Sequence, residues 1–306
     1  MRVAVIGGSG FVGGYLVDAL IHSGHEPHLL VRAGSEQKLS QAKQCKIITG
    51  SLSDQDAVAR TIQDCDAVIY NVGILRELRR QGVTFEETQY RGVVNAVDVS
   101  QKAGIKHFVL MSANGIDPAV TPYQDSKYRA EEYLRKSGIP FTIFRPSVIF
   151  GEPQGKMEIA TQLYRDMVRI PVPALGFFNG FRPSKGAVMM SPVHVQDVAD
   201  AFIGSLGNRF TLNKTYSLGG PEEISWVDII KRIAQAVNKR KIIFPMPIAF
   251  MRFAATIFDW LPFFPVTRDQ LTMLAAGNTA SDQSLRLLID REPIPFEPKA
   301  LAYLRH

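Results

Sequence analysis

Sulfur that could cross-link or chelate is nearly missing from this sequence: 306 residues carry two cysteines, Cys45 and Cys65, at no metal-type spacing. Two reduced, partly buried thiols acting as small hydrophobes are expected. No uninterrupted apolar stretch reaches the roughly 20 residues that span a bilayer. Met1 runs at once into the apolar Val3-Ala4-Val5-Ile6, which leaves no room for a leader ahead of it. Both features point to a cytoplasmic chain. Histidine is sparse, and His22, His25 and His28 straddle a helix end, a loop and a strand, so no metal site is expected. A Ser–His–Asp nucleophile arrangement and the interleaved basic and aromatic surface of a nucleic-acid binder are also missing. Acid is the scarcer charge: 29 Asp and Glu against 35 Lys and Arg give +6. That balance admits anionic partners such as phosphates or anionic lipid. Most of the cations are scattered, with local clusters at Arg76, Arg79 and Arg80 and at Lys239, Arg240 and Lys241.

The chain is 46% hydrophobic, enough for one large core and a smaller lobe. Up to about residue 150, short β-rich runs alternate with helical periodicity, as in a parallel sheet covered on both faces. Strands are expected at 2–6, 27–31, 45–49, 66–71, 107–112 and 140–146, and helices at 10–22, 54–63, 84–103 and 126–137. Ser53 or Asp54 caps the second helix, and Gly104 and Gly138 end the last two. After Gly151, prolines and glycines break the pattern, as where a chain leaves a sheet to build a cleft wall. Helices resume at 194–206 and, capped by Ser225, at 226–237. The expected division is 1–150 with 186–206 returning to it, and 151–185 with 207–306 as a second lobe across a cleft.

The most informative stretch is Gly7-Gly8-Ser9-Gly10-Phe11-Val12-Gly13, directly after the first strand. A buried strand turning through glycines into a helix is a phosphate cradle. Gly7 permits the reversal, Gly10 leaves room for a pyrophosphate, and Gly13 lets the helix lie close. The unpaired amides and dipole of the helix start, at Phe11 and Val12, favour the anion. The second strand ends at Arg32, where an acidic residue would meet a free ribose 2′-hydroxyl. A guanidinium there suits a 2′-phosphate, which favours NADP(H) while admitting NAD(H), and Ser9 can add a hydroxyl contact.

Tyr123 and Lys127 stand four apart at a helix start, hence on one face, where an ammonium can lower the pKa of a phenol. Such a phenol exchanges a proton with a carbonyl or alcohol while a nicotinamide exchanges hydride. Ser112, ending the preceding strand, is placed to hydrogen-bond the same oxygen.

These motifs, with Arg145-Pro146-Ser147-Val148-Ile149-Phe150-Gly151 and His194-Val195-Gln196-Asp197-Val198-Ala199, resemble the extended and atypical short-chain dehydrogenase/reductases over nearly the whole chain. The resemblance implies an α/β fold, a Rossmann-type doubly wound parallel sheet with a smaller, discontinuous C-terminal lobe. It implies catalytic Tyr123 and Lys127 assisted by Ser112, a cofactor lined by Asn71, Val72 and Gly73, and Pro146 and Val148 near the nicotinamide. Ser51 replaces the Asp that faces adenine in many relatives, so that contact passes to Leu52 or to backbone.

Tyr216-Ser217-Leu218-Gly219-Gly220-Pro221-Glu222, a Pro-bounded apolar segment, Leu261-Pro262 and Val266-Thr267-Arg268-Asp269-Gln270-Leu271 are similar to the nucleotide-binding accessory subunit of respiratory complex I and its bacterial relatives. That resemblance implies a nucleotide held without turnover. Residues 248–261 are apolar on nearly all sides, which suits burial, a partner or a lipid interface. Three functions are therefore carried forward. The first is an NADP(H)-dependent oxidoreductase acting on a small carbonyl or alcohol. The second is a redox-inactive nucleotide protein whose residues 248–261 dock on a membrane complex or handle a lipid- or quinone-like ligand. The third is a sugar-nucleotide epimerase.

Overall fold

The computed structural model describes residues 1–180, 182–183, 185–258 and 268–305, the side chains of 254–258 excepted. The expected docking segment is therefore described only to residue 258; Trp260, Leu261 and the motif residues Pro262, Val266 and Thr267 lie outside the described residues.

The first half folds as its apolar periodicity dictates. Strands β1 (Arg2–Ile6), β2 (Glu26–Val31), β3 (Lys46–Thr49), β4 (Ala67–Tyr70), β5 (His107–Met111) and β6 (Phe141–Pro146) alternate with helices α1 (Phe11–His22), α2 (Gln55–Ile62), α3 (Gly92–Lys102) and α4 (Pro122–Lys136). Every strand register among β1 to β6 is parallel, in the order β6-β5-β4-β1-β2-β3, and Lys214–Leu218 adds a seventh strand beside β6. The chain reverses its direction of travel across the sheet between β1 and β4, so the carboxyl ends of those two strands frame the crevice where doubly wound sheets bind ligands. β1, β4 and β5 are buried almost throughout, which is why their sequences read as continuous apolar runs.

Local signals explain the element ends. Asp54 accepts the Ala57 amide at 2.9 Å and caps α2. Thr121 accepts the Gln124 amide at 3.3 Å, with Pro122 at the first helical position, so α4 begins four residues before the expected 126 and takes in Tyr123. The helix expected over 84–103 is two pieces: a π-helical stretch, Glu86–Arg91, runs into α3. The Tyr70 hydroxyl donates to the Thr88 carbonyl in that stretch at 2.7 Å.

By internal contacts the chain divides into two units. The first is Met1–Pro146, Val195–Ser217 and Ser284–Arg291; the second is Ser147–His194, Leu218–Gln283 and Glu292–His306. The returning segment expected at 186–206 thus begins at Val195, and a further return at Ser284–Arg291 was not foreseen. Arg291 explains that return: its guanidinium pairs with Asp197, fully buried on the helix Val195–Ser205, at 2.6 Å and with Asp200 at 2.6 Å. The second unit has its own core, in which Phe150, Phe177, Trp226, Ile230 and Phe296 meet. There Ala174–Phe178 pairs in parallel with Ile243–Pro247, and the Trp226 indole donates to the Leu175 carbonyl at 2.9 Å.

Candidate functional site

At the carboxyl end of β1 the chain turns on Gly7, whose φ of +103° is a conformation that side chains resist; a Cβ there would also sit 2.6 Å from the Asn71 carbonyl. A Cβ on Gly13 would lie 2.1 Å from the Gly7 carbonyl. Gly13 is thus required by the turn folded under the helix start. Gly10 is the N-cap of α1 and offers no side chain to its amides, and a Cβ on it would meet only the Gly7 carbonyl, at 3.4 Å. The helix start at Phe11 and Val12 is therefore uncapped, with protein backing the turn and open space in front. That combination fits a diphosphate.

Arg32 follows β2 directly and is exposed. Ser51 is exposed and its hydroxyl is 3.0 Å from that of Ser53, while Leu52 packs against the core under α2 and α3. The Leu52 carbonyl is occupied by the Asn95 amide at 2.7 Å, so this carbonyl is already taken by α3.

Asn71, Val72 and Gly73 continue β4; the Asn71 amide donates to the Ile6 carbonyl at 2.8 Å. A Cβ on Gly73 would lie 3.7 Å from Lys127 Nζ, so this loop reaches the α4 lysine. Lys127 is buried and donates to the Met111 carbonyl at 3.3 Å, next to Ser112. Its Nζ stands 5.9 Å from the centre of the Tyr123 ring, which meets Phe85 edge-on at 5.7 Å. Burial pushes the Lys127 amine down to about 8, against the raising influence of Glu131, and burial holds the Tyr123 phenol above its ordinary value. Ser112 is anchored through its amide to the Phe144 carbonyl at 2.7 Å, and its buried hydroxyl helps hold the Glu131 carboxyl in its charged form. Pro146 ends β6 and its carbonyl accepts the Asn114 amide at 2.9 Å; Val148 falls in the second unit.

The cluster contains a residue not singled out from the sequence. Glu131 is fully buried one turn beyond Lys127 and takes Arg145 in two bonds, at 2.9 and 2.7 Å, and Arg135 at 2.7 Å. Burial alone would raise its carboxyl; the Arg145 guanidinium outweighs that and holds it below the usual carboxylate range. Gln89 was also missed: it donates to the Ile74 carbonyl at 2.7 Å and accepts the Ser126 hydroxyl at 2.9 Å, joining the β4 loop to α4. The i+4 spacing of Tyr123, Lys127 and Glu131 was visible in the sequence; nothing there marked Gln89. The cations Arg76, Arg79 and Arg80 are exposed in the loop after β4, where Arg79 pairs with Glu77 at 2.8 Å.

A protein-family model described as NAD(P)H-binding matches residues 7–168, from the glycine turn past the end of β6. The chain belongs to this NAD(P)H-binding family. Divinyl chlorophyllide a 8-vinyl-reductase of Cucumis sativus is 24% identical over 95% of this chain and 70% of its own length. The mitochondrial NADH dehydrogenase (ubiquinone) 1 alpha subcomplex subunit 9 of Arabidopsis thaliana is 25% identical over 96% of this chain and 74% of its own. Among solved structures, MoeE5 in complex with UDP-glucuronic acid and NAD superposes with a TM-score of 0.73 at 16% identity, covering 99% of this chain and 97% of that one. The chain's relatives are of the atypical short-chain dehydrogenase/reductase and epimerase type, and its Rossmann sheet is the fold of the solved neighbour.

Proposed function

We propose that this chain is an NADP(H)-dependent oxidoreductase that acts on a small carbonyl or alcohol. The observation that carries the proposal is the buried Lys127 amine, which donates to the Met111 carbonyl next to Ser112 and stands 5.9 Å from the centre of the Tyr123 ring. In the proposed reaction Ser112 orients the substrate oxygen and Tyr123 passes it a proton. Lys127 holds the ribose and, as an ammonium, draws the phenol down from its burial-raised pKa. Bound nicotinamide supplies the hydride. Gly7, Gly10 and Gly13 cradle the diphosphate at the amides of Phe11 and Val12, with Ser9 adding a hydroxyl. Arg32 pairs with the 2′-phosphate, Ser51 and Leu52 border the adenine, and Asn71, Val72, Gly73 and Pro146 line the remainder of the cofactor.

A second reading has support in the accessory-subunit relative, which aligns over 96% of this chain: nucleotide held for structure, without turnover. One experiment divides the two. Purified protein is given NADPH with a panel of aldehydes and ketones, and nicotinamide absorbance is followed. Oxidation that falls by about 10²-fold or more in Tyr123→Phe, with nucleotide affinity unchanged, supports the oxidoreductase. Tight nucleotide that no carbonyl oxidises overturns it in favour of the structural role.

A further inference from the structure

We propose that residues 239–253 of the second unit form a docking surface for an anionic phospholipid bilayer. From residue 237 to 258 the chain carries Lys239, Arg240, Lys241 and Arg252 and no Asp or Glu. The same stretch exposes large apolar side chains in unusual density: Ile242 is 76% exposed, Phe244 56%, Phe250 60% and Phe253 67%. Single exposed hydrophobics are ordinary on a protein surface; a run of them is not.

The local structure explains why they face outward. Ile242 and Phe244 alternate with Ile243 at the strand Ile243–Pro247, and so share one face. Phe250 and Phe253 stand three apart on the helix Ile248–Phe258, whose Ile248 is 2% exposed and fixes the opposite side into the core of the unit. The neighbouring strand is held in register, the Ala174 amide donating to the Ile242 carbonyl at 2.9 Å. That pairing brings in Ile170 and Val172, 41% and 53% exposed, and Lys241 ties the patch together by donating to the Val168 and Ile170 carbonyls.

An apolar surface bordered by the cations Lys239, Arg240 and Lys241 matches an anionic bilayer. The rings enter the boundary between headgroups and acyl chains while the ammonium and guanidinium groups remain among the headgroup phosphates. No helix of the described residues is long and apolar enough to cross a membrane, so the attachment is peripheral.

The test is co-sedimentation of the full chain with vesicles of phosphatidylcholine alone and of an equimolar mixture with phosphatidylglycerol. Binding is expected to the mixed vesicles, to weaken with salt, and to be about twenty-five-fold weaker in Lys239→Ser with Arg240→Ser, at about one fivefold factor per cation. Phe250→Ser with Phe253→Ser should lower it by about tenfold or more. NADPH binding, measured in each variant, reports that the fold is intact, and its outcome is independent of whether any carbonyl is turned over. Equal binding to both vesicles, binding unchanged in either double variant, or sedimentation without vesicles through self-association or a protein partner overturns the proposal.

Discussion

The Lys127 amine is buried, with its ordinary pKa pushed down to about 8, so that around neutrality it is an ammonium close to losing its proton. An anionic diphosphate and ribose at the adjoining loop would favour the charged form. Near pH 9 the free protein has shed that proton in large part, and nucleotide binding should take one up; near pH 6 the amine is already charged and uptake should vanish, by linkage. Calorimetry in buffers of different ionisation enthalpy measures the uptake directly, and Lys127→Met should abolish it. At the far end of the cofactor, Arg32→Asp should raise the dissociation constant for NADPH about ten- to a hundred-fold while leaving NADH nearly unchanged, since only the former carries a 2′-phosphate. Equal losses for both would remove Arg32 from the specificity. The candidate site was legible in the sequence as geometry: the three glycines of the first turn, and Tyr123 four before Lys127 on one helix. Glu131 was not, because a carboxylate one turn further along a helix looks like a solvated charge until β6 places Arg145 against it. The Leu52 carbonyl accepts the Asn95 amide, a pairing that no local pattern announces.

At the scale of the element, α4 is the beam that would carry the proposed chemistry. Tyr123, Lys127, Glu131 and Arg135 recur at every fourth residue, so one face runs from phenol to amine to carboxylate to guanidinium. Glu131 is fully buried, whereas Arg145 and Arg135 keep 22% and 28% of their side chains exposed, so solvent screens part of the pairing. Glu131→Gln should destabilise the protein by roughly 2–4 kcal/mol, measured by urea unfolding, because it strands two half-buried cations. It should also move the Lys127 proton uptake to lower pH, as an anion four residues away no longer supports the ammonium. A merely structural role for Glu131 would leave that pH window in place. The first six strands lie within about a residue or two of their expected ends because five of them are buried almost throughout, while β3, largely at the surface, is closed by Gly50. Lys214–Leu218 went unnoticed as a strand: most of its residues are exposed, and its partner β6 lies far away in sequence. The pair Ala174–Phe178 and Ile243–Pro247 was hidden by Pro245 and Pro247, which sequence reasoning takes as breaks and a two-stranded sheet edge accepts.

At the scale of the whole molecule, stability depends on groups that folding keeps neutral as well as on those it keeps charged. His107 on β5 is 4% exposed, and its Nε2 donates to Thr142 Oγ1 at 2.8 Å, since that hydroxyl itself donates to the Thr211 carbonyl at 2.9 Å. Its Nδ1 is buried with no partner, so a second proton would put an unbonded N–H and a charge inside the sheet. Burial accordingly pushes its pKa from 6.5 down to about 4. Between those two values the unfolded chain binds a proton that the folded chain refuses, so stability is full above about 6.5 and drains away as the pH falls towards 4. The loss is roughly 3 kcal/mol at about 1.4 kcal/mol per unit, a large share of an ordinary domain's stability. Glu131 acts in a different window: its carboxyl is held below the usual range, so its contribution persists until the pH drops below about 4.3. Urea unfolding at neutral pH and near pH 5 should therefore show a marked fall for the wild-type chain. His107→Gln, which keeps a donor for Thr142 and has nothing to protonate, should be less stable at neutral pH and show a much flatter pH dependence. A parallel fall in both proteins would place the acid sensitivity elsewhere, in carboxylates whose protonation begins before that of the buried imidazole.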